Sequence, residues 1–535
     1  MAYVITQNCC KDASCIPVCP VDCIRPANGD SATAAEGFEG ATMLYIDPDT
    51  CIDCGACFDE CPVDAIYYDD DLPAHLEPFK QINADYFERN PLQREYAAEP
   101  GPRSAVPRGA LRIAIVGAGP AACYAAAELI AIDGVEVELF ERLPTPFGLI
   151  RAGVAPDHQR TKSVTGLFDS TFANERLDCH LNIEVGKHIS HDELLSTHHG
   201  VIYAVGAADN RRLGVPGEDL PGSHPAGDFV GWYNGHPDHA AREFDLTGRR
   251  AVIVGNGNVA LDAARVLLHG PAMADRTDIA THALNALSDS NIDEVVILGR
   301  RGLADAAFSV GEFLALGHLP DTDVIIEGDD LSAVDVDDCD VETAHKIAAA
   351  RQYATRPPTG SKRIVFRFHA TPVEFLGGDR VETIALADET RLDTSLVLRA
   401  IGYRSTPIEG LPFDADAGVV PNEAGRVLDG ADVVPGVYVA GWVKRGPRGV
   451  IGSNRVCAAQ TVEALWRDHT EGKLDREVAQ RESLRALLAQ RGAVVDWDGW
   501  RAIDTAERTR GADLGRPRVK LVSREELTAA ALSRG

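Results

Sequence analysis

Long apolar runs are missing from this chain of 535 residues. None reaches the 18 or more consecutive apolar residues of a membrane-spanning helix, so we expect no membrane span. The first residues, MAYVITQNCCKD, also lack a basic stretch followed by an apolar one. We therefore expect no export signal and a cytoplasmic location.

Basic residues are also scarce. The chain carries 52 lysines and arginines against 81 aspartates and glutamates, a formal net charge of −29 at pH 7. A surface of this sign repels a polyanion, which argues against nucleic acid as a partner. Disulfide bonding is not indicated either, because eight of the 13 cysteines precede Cys61. Such clustering is typical of metal binding in a reducing compartment.

The second half of that cysteine cluster has the spacing of a bacterial iron–sulfur site. Cys51-x2-Cys54-x2-Cys57-x3-Cys61-Pro62 places three thiolates on one tight loop and directs the fourth to a neighbouring cluster. Zinc is the alternative, but structural zinc sites usually pair two C-x2-C turns across a longer spacer. The run therefore predicts iron–sulfur ligation.

An internal repeat extends this prediction to two clusters. The segment CPVDAI, which begins at Cys61, repeats the segment CPVDCI, which begins at Cys19. In the first copy Asp12 stands where the second thiolate is expected. Exchange of the fourth ligand between the copies predicts a [4Fe–4S] cluster on Cys19, Cys51, Cys54 and Cys57. It predicts a [3Fe–4S] cluster on Cys9, Cys15 and Cys61, with a second [4Fe–4S] cluster capped by Asp12 as the alternative.

This N-terminal segment resembles a two-cluster, seven-iron bacterial ferredoxin of the actinobacterial kind. The resemblance covers roughly residues 2–71, interrupted by an acidic insertion at 26–41, and implies an α+β ferredoxin domain over 1–71. The first cysteine spacing is shorter than is common there, so the type of the first cluster stays open. Cys10 and Cys23 are left over and are interpreted as small buried residues. The acidic surface indicates either solvation or a docking face for a basic electron-transfer partner.

A glycine-rich turn after an apolar strand organises the larger part of the chain. Residues 112–116 (RIAIV) predict a buried parallel strand, and residues 121–131 predict the helix that follows. Between them Gly117 permits a tight turn, and Gly119 lets the backbone approach a pyrophosphate. The free N–H groups at the start of the helix favour phosphate.

The next strand ends in an acid. Residues 135–140 predict that strand, and Glu141 after it can accept a hydrogen bond from a ribose hydroxyl. Pro120 and Ala121 complete the turn. Strand, turn, helix, strand and terminal acid in this order predict a dinucleotide site.

A second unit of the same kind follows. Its strands are expected at 250–254 and 294–298, and its helix is expected at 260–268. The second strand ends at Arg300 and Arg301 instead of an acid. Two adjacent guanidinium groups fit a 2′-phosphate, which favours NADP over NAD, whereas the plainer interpretation is a solvated strand end.

Further strands are expected at 181–185, 200–205, 396–403 and 436–439. The last two would return the chain to the first sheet, so the second unit would be an insertion. The expected divisions are a ferredoxin (1–71), an extension and linker (72–110), a first nucleotide-binding part (111–208), an inserted domain (209–395), and a closing part with a C-terminal extension (396–535). Prolines and glycines at 97–109 indicate a semi-flexible tether.

Residues 111–535 closely resemble the adrenodoxin reductase family of ferredoxin–NADP+ reductases. The motifs that carry the resemblance are GAGPAACYAA, TPFGLIRAGVAPDH, VIVGNGNVALDAAR, ILGRRGLADAAF and YVAGWVKRGPRGVIG. It implies α/β architecture, with two Rossmann-like domains and the NADP domain inserted in the FAD domain. The implied FAD contacts are Ala121, Glu141, Leu149, Val185, Trp442, Gly449, Val450 and Ile451. The implied NADP contacts are Asn256, Gly257, Asn258, Val259, Arg300, Arg301, Glu312 and Gly449.

The order of ferredoxin and then reductase resembles the fused reductases of mycobacteria. It implies FAD-mediated electron transfer between NADPH and one-electron iron–sulfur carriers, including the fused ferredoxin itself or other acceptor proteins. One alternative is a module similar to the small subunit of glutamate synthase. Another is an electron-wire subunit whose nucleotide sites bind but do not catalyse a reaction. The cysteine arrangement and the GVAPDH loop favour the reductase.

Two site expectations stay open. His158 matches an active-site histidine near the flavin, and Trp442 is expected to cover the isoalloxazine. Relatives often have a second acid where this chain has Ala315, so the carboxylate partner of His158 is undecided. The acidic ferredoxin is expected to be attracted to three bases beside Trp442, so electron transfer between the halves should slow as salt screens the attraction. Phosphate binding by these bases, or simple solvation, is the alternative. These bases are Lys444, Arg445 and Arg448.

Overall fold

The computed structural model describes residues 2–26, 41–92, 103–358 and 360–533. Most of the acidic insertion and part of the predicted tether lie outside the described residues. No helix within these ranges is both long enough and apolar enough to cross a membrane.

The N-terminal region is built from two short antiparallel strand pairs and two helices. Its elements are β1 (Tyr3–Ile5), β2 (Ile24–Arg25), β3 (Tyr45–Ile46), α1 (Ala56–Glu60), β4 (Ile66–Tyr68) and α2 (Pro78–Arg89). β1 pairs with β4 and β2 pairs with β3, so each copy of the repeat leads into one strand pair. On α2, the Asn83 amide donates to the carbonyl of Ile5 and accepts from the N–H of Ile46, both at 2.9 Å. Because Asn83 is buried, α2 holds the two pairs together and belongs to this core.

The first nucleotide-binding segment alternates strands and helices as predicted. Its elements are β5 (Arg112–Val116), α3 (Pro120–Ile130), β6 (Glu136–Glu141), α4 (Leu149–Ala152), α5 (Gln159–Lys162), α6 (Asp169–Phe172), β7 (Leu177–Leu181), α7 (His191–Thr197), β8 (Gly200–Tyr203) and β9 (Asp209–Asn210). The strand expected at 181–185 is wrong, because β7 ends at Leu181. Asn182 has a positive φ of 64°, which turns the backbone out of the strand.

The middle of the chain forms a second sheet. Its elements are β10 (Ser223–Pro225), α8 (Ala226–Tyr233), β11 (Arg250–Val254), α9 (Asn258–His269), α10 (Thr281–Ser288), β12 (Glu294–Leu298), α11 (Val310–Leu316), β13 (Thr322–Glu327), α12 (Val341–Thr355), β14 (Lys362–Arg367), β15 (Pro372–Leu376), β16 (Thr383–Leu386), β17 (Arg391–Asp393), β18 (Leu396–Arg399) and β19 (Tyr403–Arg404). Six strands pair in parallel in the order β10-β18-β11-β12-β14-β13, and β15, β16 and β17 form a small antiparallel sheet beside them.

The expectation that residues 396–403 return to the first sheet is wrong. β18 is inserted between β10 and β11 of the second sheet. Gly402, with φ of 98°, then breaks the segment, and the chain leaves through β19, which pairs with β9. The LVL run of β18 is buried on both faces, as a central parallel strand requires.

The last part of the chain completes the first sheet and adds a helical extension. Its elements are β20 (Asn422–Glu423), β21 (Arg426–Asp429), β22 (Asp432–Val439), α13 (Trp442–Arg445), α14 (Ser453–Thr470), α15 (Arg481–Arg491), α16 (Trp497–Ala512) and α17 (Arg524–Leu532). The first sheet has the order β20-β21-β22-β8-β5-β6-β7, with β22 parallel to β8. The strand predicted at 436–439 is therefore the end of β22.

The two glycine-rich turns have the same geometry. Gly117 has a φ of +103°, and a Cβ there would lie 2.5 Å from the carbonyl oxygen of Ala204. Gly255 has a φ of +109°, and a Cβ there would lie 2.3 Å from the carbonyl oxygen of Ala400. Each glycine follows a strand and lies against the end of the neighbouring parallel strand, so no other residue fits either turn.

Candidate functional site

Three separate segments meet at the start of α3. A Cβ on Gly148 would lie 2.9 Å from the Cα of Gly119, and a Cβ on Gly441 would lie 2.7 Å from the Cβ of Ala121. A Cβ on Gly119 itself would meet nothing within 4 Å. The first N–H groups of α3 have no side-chain cap and face this open side, which fits a bound pyrophosphate.

Glu141 lies beside this turn at the end of β6. Its carboxylate accepts hydrogen bonds from the N–H groups of Ala118 and Leu143, both at 2.9 Å. Burial raises the pKa of Glu141 although these N–H groups favour the ionised form. The carboxylate is thereby held next to the phosphate turn, where a ribose hydroxyl can reach it.

The walls of the same cleft are apolar. Leu149 follows Gly148 and is 41% exposed, while Val205 follows β8 and is 42% exposed. Trp442 begins α13, and its ring centroid lies 5.7 Å from that of Tyr403. Exposed apolar side chains around a pyrophosphate turn fit the flat ring system of a flavin.

The remaining implied FAD contacts lie in two loops. Gly449 has a φ of +86°, and the carbonyls of Val450 and Ile451 accept hydrogen bonds from the Asn454 amide at the start of α14. Val185 lies in the loop after β7 and packs against an apolar cluster of the first sheet. The first loop is continuous with Gly441 and Trp442, whereas no contact of Val185 with the other implied FAD residues is seen among the described residues.

The second turn presents a second open helix start. Gly257 is the N-cap of α9, and a Cβ there would meet nothing within 4 Å. The Asn258 side chain accepts a 2.8 Å hydrogen bond from the N–H of Ser309 and so ties the turn to α11. Arg300 and Arg301 are exposed after β12, and Arg301 forms a 2.8 Å ion pair with Asp305.

His158 is part of a compact charged cluster at the junction of the two sheets. Its Nε2 lies 2.9 Å from a guanidinium nitrogen of Arg265 and 3.6 Å from a carboxylate oxygen of Glu312. Glu312 thus provides the carboxylate beside His158 that the sequence left undecided, although position 315 carries no acid. The Arg265 guanidinium is buried and also contacts Asp157 at 3.1 Å, Asp262 at 2.7 Å and Glu312 at 2.7 Å.

Burial and the Arg265 charge compete at each carboxylate of this cluster. Burial opposes the ionisation of Asp157, but the Arg265 charge outweighs it and lowers the Asp157 pKa to about 2. Burial prevails at Asp262 and raises its pKa to about 6. At Glu312 the charges of His158 and Arg265 outweigh burial and lower the pKa.

Sequence reasoning missed three members of this cluster, Asp157, Asp262 and Arg265. One signal was present, because Asp262 and Arg265 are three residues apart in VALDAAR and so share a face of α9. Nothing in the sequence indicated that Asp157 and Glu312 converge on the same guanidinium.

The predicted [4Fe–4S] ligands surround one cavity. It is lined by Tyr3, Cys19, Val21, Cys23, Ile24, Ile46, Cys51, Ile52, Cys54, Gly55 and Cys57. Four predicted ligand thiols around one apolar cavity fit an iron–sulfur cubane. Cys23, expected to be spare, also lines the cavity, with its sulfur 3.4 Å from that of Cys19.

The other cysteine set lies in the interior of the N-terminal region. The N–H of Leu44 donates to the Cys9 sulfur at 3.5 Å, and the N–H of Ala65 donates to the Cys61 sulfur at 3.3 Å. Burial raises the pKa of Cys9 to about 12, so its thiolate needs a compensating metal charge. The Asp12 carboxylate accepts from the N–H of Ser14 at 2.9 Å and from the Cys10 thiol at 3.4 Å.

This interior side of the N-terminal region packs on the first nucleotide-binding sheet. The N–H of Gly452 donates to the Cys10 carbonyl at 2.8 Å, and Arg455 donates to the Asp12 carbonyl at 2.6 Å. The Ser163 hydroxyl donates to the Pro62 carbonyl at 2.7 Å. Cys10, Val63 and Ala65 join the same apolar core as Ala121 and Tyr124 of α3.

The N-terminal region also contacts the second sheet. The buried Tyr45 hydroxyl donates to the Glu342 carboxylate of α12 at 2.8 Å, and His345 of the same helix lies 2.8 Å from Asp85. The N-terminal region therefore contacts both nucleotide-binding parts.

Two of the three bases beside Trp442 donate hydrogen bonds to α14. Lys444 donates to Gln460 at 2.7 Å and to Thr461 at 3.1 Å, and Arg445 donates to Asn454 at 2.9 Å. These partners belong to α14. Gly452 and Arg455, which follow in the chain, donate to the backbone carbonyls of Cys10 and Asp12. The expected attraction of the acidic ferredoxin to Lys444, Arg445 and Arg448 stays a prediction.

Comparisons with known proteins agree with this geometry. The family described as 4Fe-4S binding domain matches residues 44–67, and the pyridine nucleotide-disulphide oxidoreductases match residues 111–294. A probable ferredoxin/ferredoxin–NADP reductase of Mycobacterium tuberculosis is 46% identical over 100% of this chain and 95% of the relative. The NADPH-ferredoxin reductase FprA of that organism is 44% identical over 78% of this chain and 98% of the relative. The structure of M. tuberculosis FprA in complex with NADPH has a TM-score of 0.76 and 42% identity, covering 79% of this chain and 100% of that chain.

The fold and the sites define an oxidoreductase in which an iron–sulfur region precedes two nucleotide-binding sheets. The sequence resemblance at both ends of the chain is confirmed by these relatives. The chain belongs to the family of fused ferredoxin/ferredoxin–NADP reductases.

Proposed function

We propose that this protein transfers electrons between NADPH and one-electron iron–sulfur carriers through FAD, and that its own N-terminal region is the first acceptor. The observation that carries this proposal is the contact of the Cys10–Asp12 loop with Gly452 and Arg455. That contact is next to the loop of the implied FAD residues Gly449, Val450 and Ile451. This contact supports a position of the interior cysteine set on the flavin side of the N-terminal region.

The two sheets would then be Rossmann-like domains, with the NADP domain inserted in the FAD domain. FAD, when bound, exchanges a hydride with nicotinamide and single electrons with iron–sulfur carriers. The start of α3 and Gly119 would hold its pyrophosphate, Glu141 its ribose, and Trp442 would cover the ring and exclude water. His158, held by Arg265 and Glu312, acts as a positioning and electrostatic residue and not as a nucleophile.

An anaerobic titration with NADPH, followed by visible and EPR spectra, tests the proposal. Both the flavin and the iron–sulfur absorbance should bleach in purified protein without added subunits. An electron-wire subunit would bind NADPH without either change, which would contradict the proposal.

NADPH should be preferred over NADH because Arg300 and Arg301 can bind a 2′-phosphate. We expect replacement of both by alanine to cost about 1.5–3 kcal/mol of NADPH binding for each charged hydrogen bond lost. NADH binding should hardly change, since NADH has no 2′-phosphate. The dissociation constants of both nucleotides measure this, with Arg249→Ala at the opposite end of β11 as the control. Equal losses for the two nucleotides would refute the assignment.

The two clusters should differ. We propose [4Fe–4S] on Cys19, Cys51, Cys54 and Cys57, and [3Fe–4S] on Cys9, Cys15 and Cys61. Both carboxylate oxygens of Asp12 already accept hydrogen bonds from their own loop, which supports three thiolate ligands. Anaerobically prepared protein, mildly oxidised, should show a low-temperature [3Fe–4S] EPR signal that Cys15→Ala abolishes and Cys339→Ala retains. Two [4Fe–4S] clusters in that preparation would instead make Asp12 a ligand.

A further inference from the structure

The side of the N-terminal region that faces away from the reductase carries exposed apolar side chains. Ile52 is 57% exposed and Phe58 is 51% exposed, the two large apolar side chains with high exposure in residues 2–26 and 41–92. Cys54 between them is exposed as well. We define the Cys54 face as Ile52, Asp53, Cys54, Phe58, Asp59 and Glu60.

The face surrounds the mouth of the cavity formed by the four predicted [4Fe–4S] ligands. Ile52 and Cys54 line that cavity, as does Tyr3. The ring of Phe58 lies 6.2 Å from the ring of Tyr3, whose hydroxyl oxygen would be 3.1 Å from a Cβ on Gly55. A carrier resting on Ile52 and Phe58 would therefore be separated from the cavity by little more than the Cys54 side chain.

The described residues beyond 103 leave this face uncovered. The N-terminal region contacts the two nucleotide-binding parts through its interior cysteine loops, through Thr42 and Tyr45, and through α2. Within the described part of the chain, no hydrogen bond or ion pair joins residues 51–60 to residues beyond 103. The interior cysteine set thus faces the reductase, and the Cys54 face is directed to solvent.

The charge of the face has one sign. Asp53, Asp59 and Glu60 are all exposed, and residues 41–79 contain no lysine or arginine. Asp53 adjoins Cys54 and Asp59 adjoins Phe58 in the chain, so both carboxylates belong to the Cys54 face. An apolar centre with an acidic rim is complementary to a partner with an apolar centre and a basic rim.

We propose that the Cys54 face is the docking site of a basic, one-electron carrier protein. This inference rests on the proposed function, because the electrons come from NADPH. Oxidation of one NADPH to NADP+ and a proton releases two electrons, so two carriers dock in turn and each takes one. The acidic rim attracts the carrier over long range, while Ile52 and Phe58 provide the desolvated centre that holds it.

Binding to oxidised holoprotein, without NADPH, tests the inference. The probe is ferricytochrome c, a basic one-electron haem protein, and the readout is its dissociation constant by calorimetry at low ionic strength. Two double variants change the face: Ile52→Ser with Asp53→Asn, and Phe58→Ser with Asp59→Asn. The matched control is Leu514→Ser with Asp513→Asn, a neighbouring apolar and acidic pair in which Leu514 is 67% exposed.

Each face variant should weaken binding about tenfold or more, as expected for a central contact. The control should stay within about twofold of the parent, as is usual for surface changes. Binding by the parent protein should weaken steeply with added salt. The EPR signal of the clusters per FAD must be unchanged in each variant. If a double variant loses a cluster, binding is measured instead with the corresponding single variant, Asp53→Asn or Asp59→Asn.

Three results would overturn the inference. These are absence of binding by the parent protein, equal binding by face and control variants, and sedimentation showing that the face joins two copies of this chain. Reduction of flavin and clusters by NADPH, recorded in the same variants without cytochrome c, tests the proposed function separately. If that reduction proceeds while binding is unaffected by the face variants, only the docking inference fails.

Discussion

Replacement of Gly452 by valine is expected to uncouple the flavin from the N-terminal region. A Cβ at this position would lie 1.7 Å from the Lys11 carbonyl oxygen and 2.4 Å from the Asp12 N–H nitrogen. Both atoms are backbone of the N-terminal region, so the new side chain cannot be accommodated by a rotamer change. The loop that carries Cys9 and Cys15 must move away from the loop of Gly449, Val450 and Ile451.

We expect internal transfer from flavin to cluster to slow at least about tenfold, since ångström-scale misplacement of reacting groups has effects of this order. Stopped-flow mixing with NADPH, recorded at flavin and cluster wavelengths, measures the step. Flavin reduction itself should keep its rate. Gly378→Val is the matched control, because a Cβ on Gly378 would meet nothing within 4 Å. Unchanged cluster reduction in Gly452→Val would mean that this contact is not the route.

Stopped-flow mixing of the parent protein with NADPH at several ionic strengths tests whether salt affects transfer from flavin to cluster. Transfer should be independent of protein concentration, because donor and acceptor share one chain. The sequence-based expectation that added salt slows this step stays a prediction, although the hydrogen bonds to the carbonyls of Cys10, Asp12 and Pro62 are short contacts. Screening acts on separated exposed charges and hardly on short contacts of this kind. Stopped-flow traces at rising ionic strength therefore show whether separated charges or these short contacts control the internal step.

Local features of the fold were predictable where one segment determines its own geometry. The strands at 112–116, 250–254 and 294–298 were predicted with the bounds that they have. Gly117 and Gly255 were predictable because a backbone at positive φ, pressed against a neighbouring carbonyl, accepts only glycine. Such constraints can therefore be recognised from the position of the glycines in the sequence.

Features that depend on a choice between similar partners were not predictable. β18 is an apolar parallel strand that would suit either sheet, and its place between β10 and β11 is decided by the whole topology. The docking of the N-terminal region includes hydrogen bonds to backbone carbonyls. Because every residue type has a backbone carbonyl, the sequence does not indicate which ones accept. Charge pattern alone therefore did not indicate Gly452 and Arg455, which donate to the carbonyls of Cys10 and Asp12.

Replacement of Arg265 by methionine is expected to destabilise the charged cluster around His158 strongly. The guanidinium is buried and contacts three carboxylates, those of Asp157, Asp262 and Glu312. Removal of one partner of a buried ion pair costs about 3–5 kcal/mol, because the remaining charge stays buried without compensation. Hydrogen exchange at the amides of α9 should report this local loss. Arg249→Met is the control, since the Arg249 side chain is 79% exposed and its pair with Asp293 should contribute at most about 1 kcal/mol.

The pH dependence of stability distinguishes this explanation from a simple packing defect. In the parent protein the Asp157 pKa is lowered to about 2, so its stabilisation is present above the unfolded value and is lost as the pH falls toward 2. Without Arg265, burial opposes the ionisation of Asp157, Asp262 and Glu312, and of the neighbouring charges named here only that of His158 still favours it. We therefore expect each pKa to rise above its unfolded value. Their contribution is then present at low pH and lost as the pH rises through the folded values. Arg265→Met should therefore be more stable near pH 5 than near pH 7.5, and adding Glu312→Gln should recover part of the loss. A variant that is destabilised equally at both pH values would show that Arg265 acts through packing and not through charge.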